Sequence, residues 1–209
     1  MKALHADSPN PEAAYLTMQW LTSPPVSLTA GTGLDFASYG MGVATGDFDG
    51  DGQTDLFVTG VNGPGLPQAN RLLRNMGGGK FVDVSEAMGI AGTNSWSTSA
   101  TFVDYDRDGD LDLFVCNYVQ WSREIDLQVD YRLPNVGRAY GPPMSFAGTF
   151  PVLYRNDAGK FADVSAAAGI QIRNKATGLA MAKSLGVSPV DLDNDGWIDL
   201  VVANDTVQN

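Results

Sequence analysis

Short apolar segments, separated by polar and glycine-rich ones, recur along the chain from about residue 39. The segment 55–59, DLFVT, shows their character: it is brief, rich in β-branched and aromatic side chains, and preceded by a glycine-containing acidic stretch. Such segments indicate β-strands, and their short length argues against a helical solenoid. In the first repeat the pattern predicts strands over residues 41–46, 54–61, 70–75 and 80–85.

The same order of segments returns further along the chain. It predicts strands over residues 99–103, 111–118, 152–156 and 160–165, and then over 186–190 and 198–203. Units of four strands, each unit about 50 residues long, are typical of the blades of a β-propeller. We therefore predict an all-β fold, a partial β-propeller with about two full four-stranded blades plus fragments. Two full blades cannot close a ring, so we expect the chain to be part of a longer propeller.

The domain boundaries follow from these repeats. Proline-rich residues 1–26 are predicted to be an N-terminal leader segment, and residues 27–209 the propeller repeats. Within the repeats we place one blade at 39–90, a second at 96–170 that contains an insertion at 120–150, and an incomplete blade at 176–209.

An acidic pattern, D-x-D-x-D-G-x-x-D, occurs once in each repeat, at residues 47–55, 104–112 and 191–199. Carboxylates at positions 1, 3, 5 and 9 converge when the glycine at position 6 allows a tight turn. Four converging carboxylates repel one another unless a hard cation lies between them, and Ca²⁺ prefers such oxygen ligands. We predict three Ca²⁺ sites, with position 7 binding through its backbone carbonyl. The predicted ligands are Asp47, Asp49, Asp51, Gln53 and Asp55; Asp104, Asp106, Asp108, Asp110 and Asp112; and Asp191, Asp193, Asp195, Trp197 and Asp199.

An EF-hand is the alternative for such a loop, but it would need glutamate at position 12. That position holds Val58, Val115 and Val202, each within a predicted strand. The pattern therefore favours a calcium loop within a β-hairpin.

The formal net charge of −11 argues against nucleic acids and anionic membranes as partners. Thirteen of the 24 acidic residues lie in the three acidic patterns, so much of the charge belongs to the predicted metal sites. No apolar run approaches the roughly 20 residues of a membrane span, and we see no signal peptide at the N-terminus. The single cysteine, Cys116, lies in an apolar run and is expected to be a buried packing residue.

Catalysis is not expected. His5 is the only histidine, so a Ser–His–Asp or Cys–His arrangement is hard to build, and no phosphate-binding loop or zinc spacing is present. An enzyme domain that acts on polysaccharide through tyrosine, arginine and a bound cation stays open as an alternative.

The insertion contains the candidate ligand-binding residues. A long loop on a rigid scaffold is a common place for recognition, and aromatic and arginine side chains suit glycan or protein ligands. The alternative is a cover between blades that packs its own aromatic side chains. The candidates are Trp121, Arg123, Tyr131, Arg132 and Tyr140.

The acidic patterns at 47–52 and 104–112, with the flanking strands and the LYRN and VAND segments at 153–156 and 202–205, resemble the FG-GAP/VCBS repeat family. These are propeller repeats also found in integrin α-subunits, and the chain is most similar to the ASPIC/UnbV and cartilage-acidic-protein type. The resemblance implies a parent propeller of about seven blades, with Ca²⁺ held by the twelve aspartates at pattern positions 1, 3, 5 and 9.

The resemblance also implies a function and a compartment. It implies an extracellular or periplasmic module for adhesion or for recognition of a protein or glycan ligand, in which Ca²⁺ is mainly structural. The alternative is a purely structural propeller piece that completes its ring by self-association or with another chain, through the unpaired strand edges of its outer blades.

Overall fold

The computed structural model describes residues 31–36, 38–61, 70–90, 95–139 and 141–206. The chain divides into two compact units, Met1–Phe36 and Ala37–Asn209. In the first unit the described residues form a turn at 31–33, where the Leu34 N–H lies 3.4 Å from the Thr32 hydroxyl that accepts its hydrogen bond. The predicted leader segment, 1–26, lies outside the described residues. The second unit contains all the strands found among the described residues.

The first sheet has four antiparallel strands that follow chain order. They are β1 (Gly40–Gly46), β2 (Asp55–Gly60), β3 (Arg71–Asn75) and β4 (Phe81–Asp83). β2 buries Asp55, Phe57 and Thr59 on one face, whereas Leu56 and Val58 on the other face are half-buried. The four strands predicted for the first repeat are confirmed.

The second sheet repeats this arrangement around the insertion. β5 (Ser97–Val103) and β6 (Asp112–Asn117) are followed by helix α1 (Arg123–Val129) and a small hairpin of β7 (Arg132–Leu133) and β8 (Gly137–Arg138), and β9 (Val152–Asp157) and β10 (Lys160–Asp163) complete the sheet. Its order is β10-β9-β6-β5. The third sheet pairs β11 (Ser184–Val190) with β12 (Asp199–Asn204).

The prediction of an all-β fold needs correction, because the insertion contains helix. The Ser122 hydroxyl accepts a hydrogen bond from the Ile125 N–H at 3.2 Å and so caps the start of α1. The helix ends at Val129 and is followed by Asp130, whose φ of +40° is left-handed. A 3₁₀ turn at Pro143–Ser145 follows. The fold is mostly β, built of antiparallel sheets. No helix in the described part of the chain is both long and apolar enough to cross a membrane.

Two apolar clusters join the three sheets. One lies between the first and second sheets and includes Phe57, Leu72, Phe102, Leu113 and Tyr154. The other lies between the second and third sheets and consists of Phe114, Cys116 and Leu153 packed against Val187, Leu200 and Val202. Full burial of one such side chain contributes about 1.5–3 kcal/mol. Cys116 is fully buried, as predicted, and its burial raises the pKa of the thiol to about 12.

The first strand of each sheet lies against the first strand of the next sheet, and these strands approach closely. A Cβ atom added at Gly42 in β1 would lie 2.5 Å from the Thr98 carbonyl oxygen in β5. The Thr59 hydroxyl donates to that same carbonyl at 2.9 Å, and the Thr98 hydroxyl donates to the Ser184 carbonyl at 2.7 Å. Hydrogen bonds therefore cross both junctions between sheets.

A serine and an asparagine pair across the first two strands in two of the sheets. Ser97 donates to the Asn117 side-chain oxygen at 2.7 Å, and Ser184 to that of Asn204 at 3.1 Å. Gly40 and Gly60 take the same register position in the first sheet. Polar groups are thus buried at this level of the second and third sheets, with partners that satisfy them.

Candidate metal centres

Each acidic pattern forms the loop between the first two strands of its sheet. We call these loop 1 (residues 47–55), loop 2 (104–112) and loop 3 (191–199). The carboxylate at position 9 fixes the start of its loop, since its Oδ2 accepts the backbone N–H of position 2. The three bonds are Phe48 to Asp55 at 3.1 Å, Tyr105 to Asp112 at 2.9 Å and Leu192 to Asp199 at 2.9 Å.

Two further hydrogen bonds recur in every loop. The position 1 carboxylate accepts the glycine N–H of position 6, in the pairs Asp47 and Gly52 at 2.8 Å, Asp104 and Gly109 at 3.2 Å, and Asp191 and Gly196 at 2.9 Å. The position 5 carboxylate accepts the N–H of position 7, in the pairs Asp51 and Gln53 at 2.8 Å, Asp108 and Asp110 at 2.9 Å, and Asp195 and Trp197 at 2.7 Å. The three loops therefore share one conformation.

The backbone explains the invariant glycine. Position 6 has φ values of +85°, +98° and +85°, a left-handed conformation that glycine adopts without steric cost. Position 4 is left-handed as well, with φ values of +69° at Gly50, +62° at Arg107 and +60° at Asn194. Gly50 and Asn194, residue types that tolerate this conformation, are the sequence signal for the second left-handed residue, which the predicted ligand pattern did not include. Arg107 has another contact: its guanidinium lies 4.2 Å from the ring centre of Trp197 in loop 3.

Carboxylates converge in each loop, but not all of the predicted ligands do so. Oxygen atoms within 4.8 Å of one another come from Asp47, Asp49 and Asp55 in loop 1, from Asp104, Asp106 and Asp108 in loop 2, and from Asp191, Asp193 and Asp199 in loop 3. The other aspartates predicted as ligands, Asp51, Asp110, Asp112 and Asp195, lie outside these groups. The full ligand sets, with the carbonyls of Gln53, Asp110 and Trp197, stay predictions.

One carboxylate oxygen in each loop is buried without a hydrogen-bond partner among the described residues: Asp49 Oδ1, Asp104 Oδ1 and Asp191 Oδ1. A buried acceptor that lacks a partner costs about 1–3 kcal/mol, and more when it is charged. A cation between the carboxylates would remove that cost. The donor set, which is entirely oxygen, fits a hard divalent ion.

Burial raises the pKa of the position 9 carboxyl in loops 1 and 2. For Asp55, burial outweighs the lowering effect of the N–H groups of Asn75 and Phe48, and Asp49 and Asp51 add repulsion. For Asp112, the same balance involves Asn156, Tyr105 and the neighbouring aspartates. Both carboxyls therefore resist ionisation in the absence of a cation, and a cation would reverse this tendency.

Comparison with known proteins identifies the repeat. Residues 47–115, which include loops 1 and 2, match the model of the FG-GAP-like repeat. The chain is an FG-GAP-like repeat protein. It is distantly related to cartilage acidic protein 1: it is 30% identical to the mouse (Mus musculus) protein over 109 residues, which are 52% of this chain and 16% of the relative.

The other relatives give a similar result. The human protein is 29% identical over 109 residues, 52% of this chain and 15% of the relative. The Xenopus tropicalis protein is 29% identical over 92 residues, 44% of this chain and 13% of the relative. The match spans about one-sixth of each relative or less. FG-GAP repeats imply that the four-stranded sheets are propeller blades.

An asparagine near the end of the third strand holds the position 9 carboxylate of the repeat. The Asn75 N–H donates to Asp55 Oδ1 at 2.7 Å, and the Asn156 N–H donates to Asp112 Oδ1 at 2.8 Å. Neither asparagine is among the predicted ligands, although each one holds a carboxylate that is. The signal was the Arg-Asn dipeptide that recurs in the two repeats.

The arginines of these dipeptides behave differently from one repeat to the next. Arg74 Nε lies 2.6 Å from Asp49 Oδ2 and its terminal nitrogen 3.1 Å from Asp51 Oδ2, so loop 1 has a counter-ion supplied by the protein. Arg155 instead contacts Asp157 at 2.9 and 3.0 Å. Loops 1 and 2 of the FG-GAP repeats thus share their backbone and differ in their electrostatics.

The insertion forms one wall of an aromatic pocket of about 540 Å³. Trp96, Tyr118, Trp121 and Phe146 supply most of its aromatic lining. Of the five predicted ligand-binding residues, Trp121 alone lines it among the described residues. Arg123, Tyr131 and Arg132 are exposed, and Tyr140 lies outside the described residues. Trp96, which precedes β5, was missed because nothing local in the sequence ties it to an insertion 25 residues later.

Proposed function

We propose that this FG-GAP module binds Ca²⁺ in all three loops, that the ions mainly stabilise the hairpins, and that the resulting scaffold recognises a ligand outside the cell or in the periplasm. One observation carries the metal assignment: each loop contains a buried carboxylate oxygen that no described donor satisfies, next to two further carboxylates. A hard cation satisfies all of these oxygens at once.

The position of the loops supports a structural role for the ion. Each loop joins the first two strands of its sheet. In loops 1 and 2 the position 9 carboxylate also accepts a backbone N–H from another strand of the sheet, that of Asn75 in β3 or of Asn156 in β9. Ca²⁺ would supply charge neutralisation and would fix the carboxylates relative to one another. An ion that binds the folded state and not the unfolded state raises the free energy of unfolding.

Titration calorimetry with CaCl₂ on the chelator-treated chain tests the metal assignment. We expect binding at three sites and a melting temperature that rises with Ca²⁺. Asp104→Ala and Asp191→Ala should each remove one site, because each deletes an unsatisfied oxygen. Asp157→Asn removes the same charge outside the loops and is the matched control. An unchanged melting temperature with Ca²⁺ and with chelator would overturn the proposal.

Two arguments support ligand recognition outside the cell. Calcium sites of extracellular modules are often weak, with dissociation constants of about 10⁻⁴–10⁻³ M, and fill where Ca²⁺ is abundant. The aromatic pocket beside the insertion offers a concave surface of the size that small ligands use. Localisation of the natural gene product, by fractionation of its host cells, tests the compartment.

Exposed apolar side chains favour a second candidate role, packing against further blades from another copy or another chain. Met41 and Val43 are 48% and 60% exposed on β1, and Leu185 and Val201 are 46% and 45% exposed on the third sheet. Light scattering across a range of protein concentrations tests this role. Concentration-dependent assembly that Val43→Lys abolishes would support it, and a monomer at all concentrations would exclude self-association.

A further inference from the structure

Two aromatic rings in the pocket stand nearly perpendicular to the ring of Trp96. The rings of Trp96 and Tyr118 are 5.6 Å apart at 83°, and those of Trp96 and Trp121 are 6.2 Å apart at 81°. They come from three places: the start of the second sheet, the residue after β6, and the beginning of the insertion. The fold therefore brings the three rings together from separate segments, and they give the pocket an aromatic lining that a ligand would contact.

A hydrogen-bond donor in this wall lacks an acceptor. Trp96 Nε1 is buried, and no described atom accepts a hydrogen bond from it. A buried indole N–H normally finds a partner, and its absence costs about 1–3 kcal/mol. Since Trp96 lines the pocket, an occupant that brings an acceptor atom to this N–H would remove the cost.

The pocket carries little net charge. Asp126 is the one charged residue in its described lining, and its carboxylate is paired with the Arg138 guanidinium. The Tyr118 hydroxyl is already engaged, because it donates to the Asp205 carboxylate. An anionic ligand gains nothing from this arrangement. A cation would contact the aromatic faces favourably, but it would leave the indole N–H unsatisfied and would meet a carboxylate that Arg138 already neutralises.

We propose that this pocket binds a neutral hexose unit of a glycan. The carbon-bound hydrogens on one face of a sugar ring pack against an aromatic ring, the Trp96 N–H donates to a sugar oxygen, and the Asp126 carboxylate accepts a sugar hydroxyl. The volume of about 540 Å³ lies within the range of about 300–1,000 Å³ typical of small-ligand sites. The inference rests on the proposed recognition role and names the ligand class for it.

The test uses the whole chain saturated with CaCl₂ and the methyl glycosides of glucose, galactose, mannose and N-acetylglucosamine as probes. Binding is followed by tryptophan fluorescence and by saturation-transfer NMR. We expect at least one neutral glycoside to bind. Trp96→Phe, which keeps an aromatic ring and removes the N–H, should weaken binding about five- to tenfold, and Trp121→Ala should weaken it more. Val136→Ala, at an exposed position of the insertion outside the described pocket lining, is the control.

The remaining outcomes separate the alternatives. Binding of choline or tetramethylammonium in preference to the glycosides would overturn the proposal in favour of a cation site, and binding of glucuronate alone would overturn the neutral-ligand assignment. Binding that survives in Trp96→Phe at full strength, with an unchanged melting temperature, would overturn the role of the indole. No binding by a chain that Ca²⁺ still stabilises would overturn the sugar site and leave the metal assignment intact.

Discussion

The side-chain amide of Asn156 in β9 donates a hydrogen bond to the backbone carbonyl of Phe48 in loop 1, with a nitrogen–oxygen distance of 2.8 Å. The two residues lie 108 positions apart and in different sheets. The same amide reaches the Leu111 carbonyl at 3.1 Å, and its oxygen accepts the Gly159 N–H at 2.7 Å. Asn156 therefore ties a loop of the first sheet to the hairpin of the second.

We expect Asn156→Ala to lower the free energy of unfolding by about 3 kcal/mol, because it leaves two carbonyls and one N–H without partners in a buried setting. Asn75→Ala is the matched control. Asn75 makes the local contacts, to the Thr54 carbonyl and the Gly77 N–H, and it forms no hydrogen bond to another sheet among the described residues. Urea unfolding in saturating Ca²⁺ should show a clearly smaller loss for Asn75→Ala, and equal losses would contradict the role of the bond between sheets.

Arg74 should compete with a metal ion in loop 1. Its guanidinium contacts Asp49 and Asp51, so Arg74→Gln should raise the Ca²⁺ affinity of loop 1 several-fold and lower the stability of the metal-free chain. Calorimetric titration measures the first effect and thermal melting in chelator the second. Arg155→Gln, whose arginine contacts Asp157 instead, should leave loop 2 much less changed. Weaker Ca²⁺ binding in Arg74→Gln would show that Arg74 supports the bound ion.

Gly42 should tolerate no side chain. A Cβ atom there would lie 2.5 Å from a backbone oxygen, so Gly42→Ala should destabilise the fold by about 1–3 kcal/mol through overpacking. The corresponding strand position in the third sheet, Gly186, has no atom within 4 Å of a built Cβ. Gly186→Ala should be neutral or stabilising by about 0.4–1 kcal/mol. Chemical denaturation of both variants checks this contrast, and similar effects at the two positions would argue against close contact of β1 with β5.

Asp83 should make the free energy of unfolding depend on pH. Burial alone would raise the pKa of this carboxyl, but hydrogen bonds from the Ser85 hydroxyl and N–H and from Arg71 lower the pKa below its ordinary value of 3.8. The unfolded chain therefore binds the proton more readily, so this stabilisation is present above pH 3.8 and is lost as the pH falls through the lower folded-state pKa.

The measurement is the urea midpoint from pH 6 to pH 3. Asp83→Asn should lower the midpoint at pH 6 and flatten the acid-dependent fall relative to the parent chain. Asp163 accepts the same two bonds from Ser165 and has no arginine partner among the described residues. Asp163→Asn therefore removes a carboxylate with the same serine contacts and no described arginine contact, and it should lower the midpoint at pH 6 less than Asp83→Asn does. Identical pH profiles for the Asp83→Asn variant and the parent chain would count against the Arg71 contact.

The strands and the acidic loops could be predicted because their causes are local. Alternation of short β-branched segments with glycine turns specified the sheets, and three copies of one aspartate spacing specified loops that share a backbone. The contact between Asn156 and Phe48 has no such local signature, because it depends on how two sheets stack. The same limit applies to Trp96, whose ring neighbours in the pocket are Tyr118, which follows β6, and Trp121, which lies in the insertion.

Equivalent sequence does not always give equivalent contacts. The dipeptides at 74–75 and 155–156 are identical, yet Arg74 contacts loop 1 and Arg155 contacts Asp157, which is a methionine, Met76, at the matching place in the first repeat. The helix α1 was missed for another reason: the insertion was interpreted as a loop, although Ser122 followed by Glu124 and Asp126 is a recognisable helix start. The domain boundaries, the compartment and the absence of catalysis stay predictions.

The serine–asparagine pair of the second and third sheets, replaced by Gly40 and Gly60 in the first, limits how freely these units could be exchanged. A graft of asparagine at residue 60 would introduce a buried amide without its serine, whereas serine at 40 and asparagine at 60 together would restore the pair. Such repeats can be exchanged without loss only when both residues of a polar pair are transferred together. Any recombination of these repeats would therefore need to replace the serine and the asparagine as a single unit.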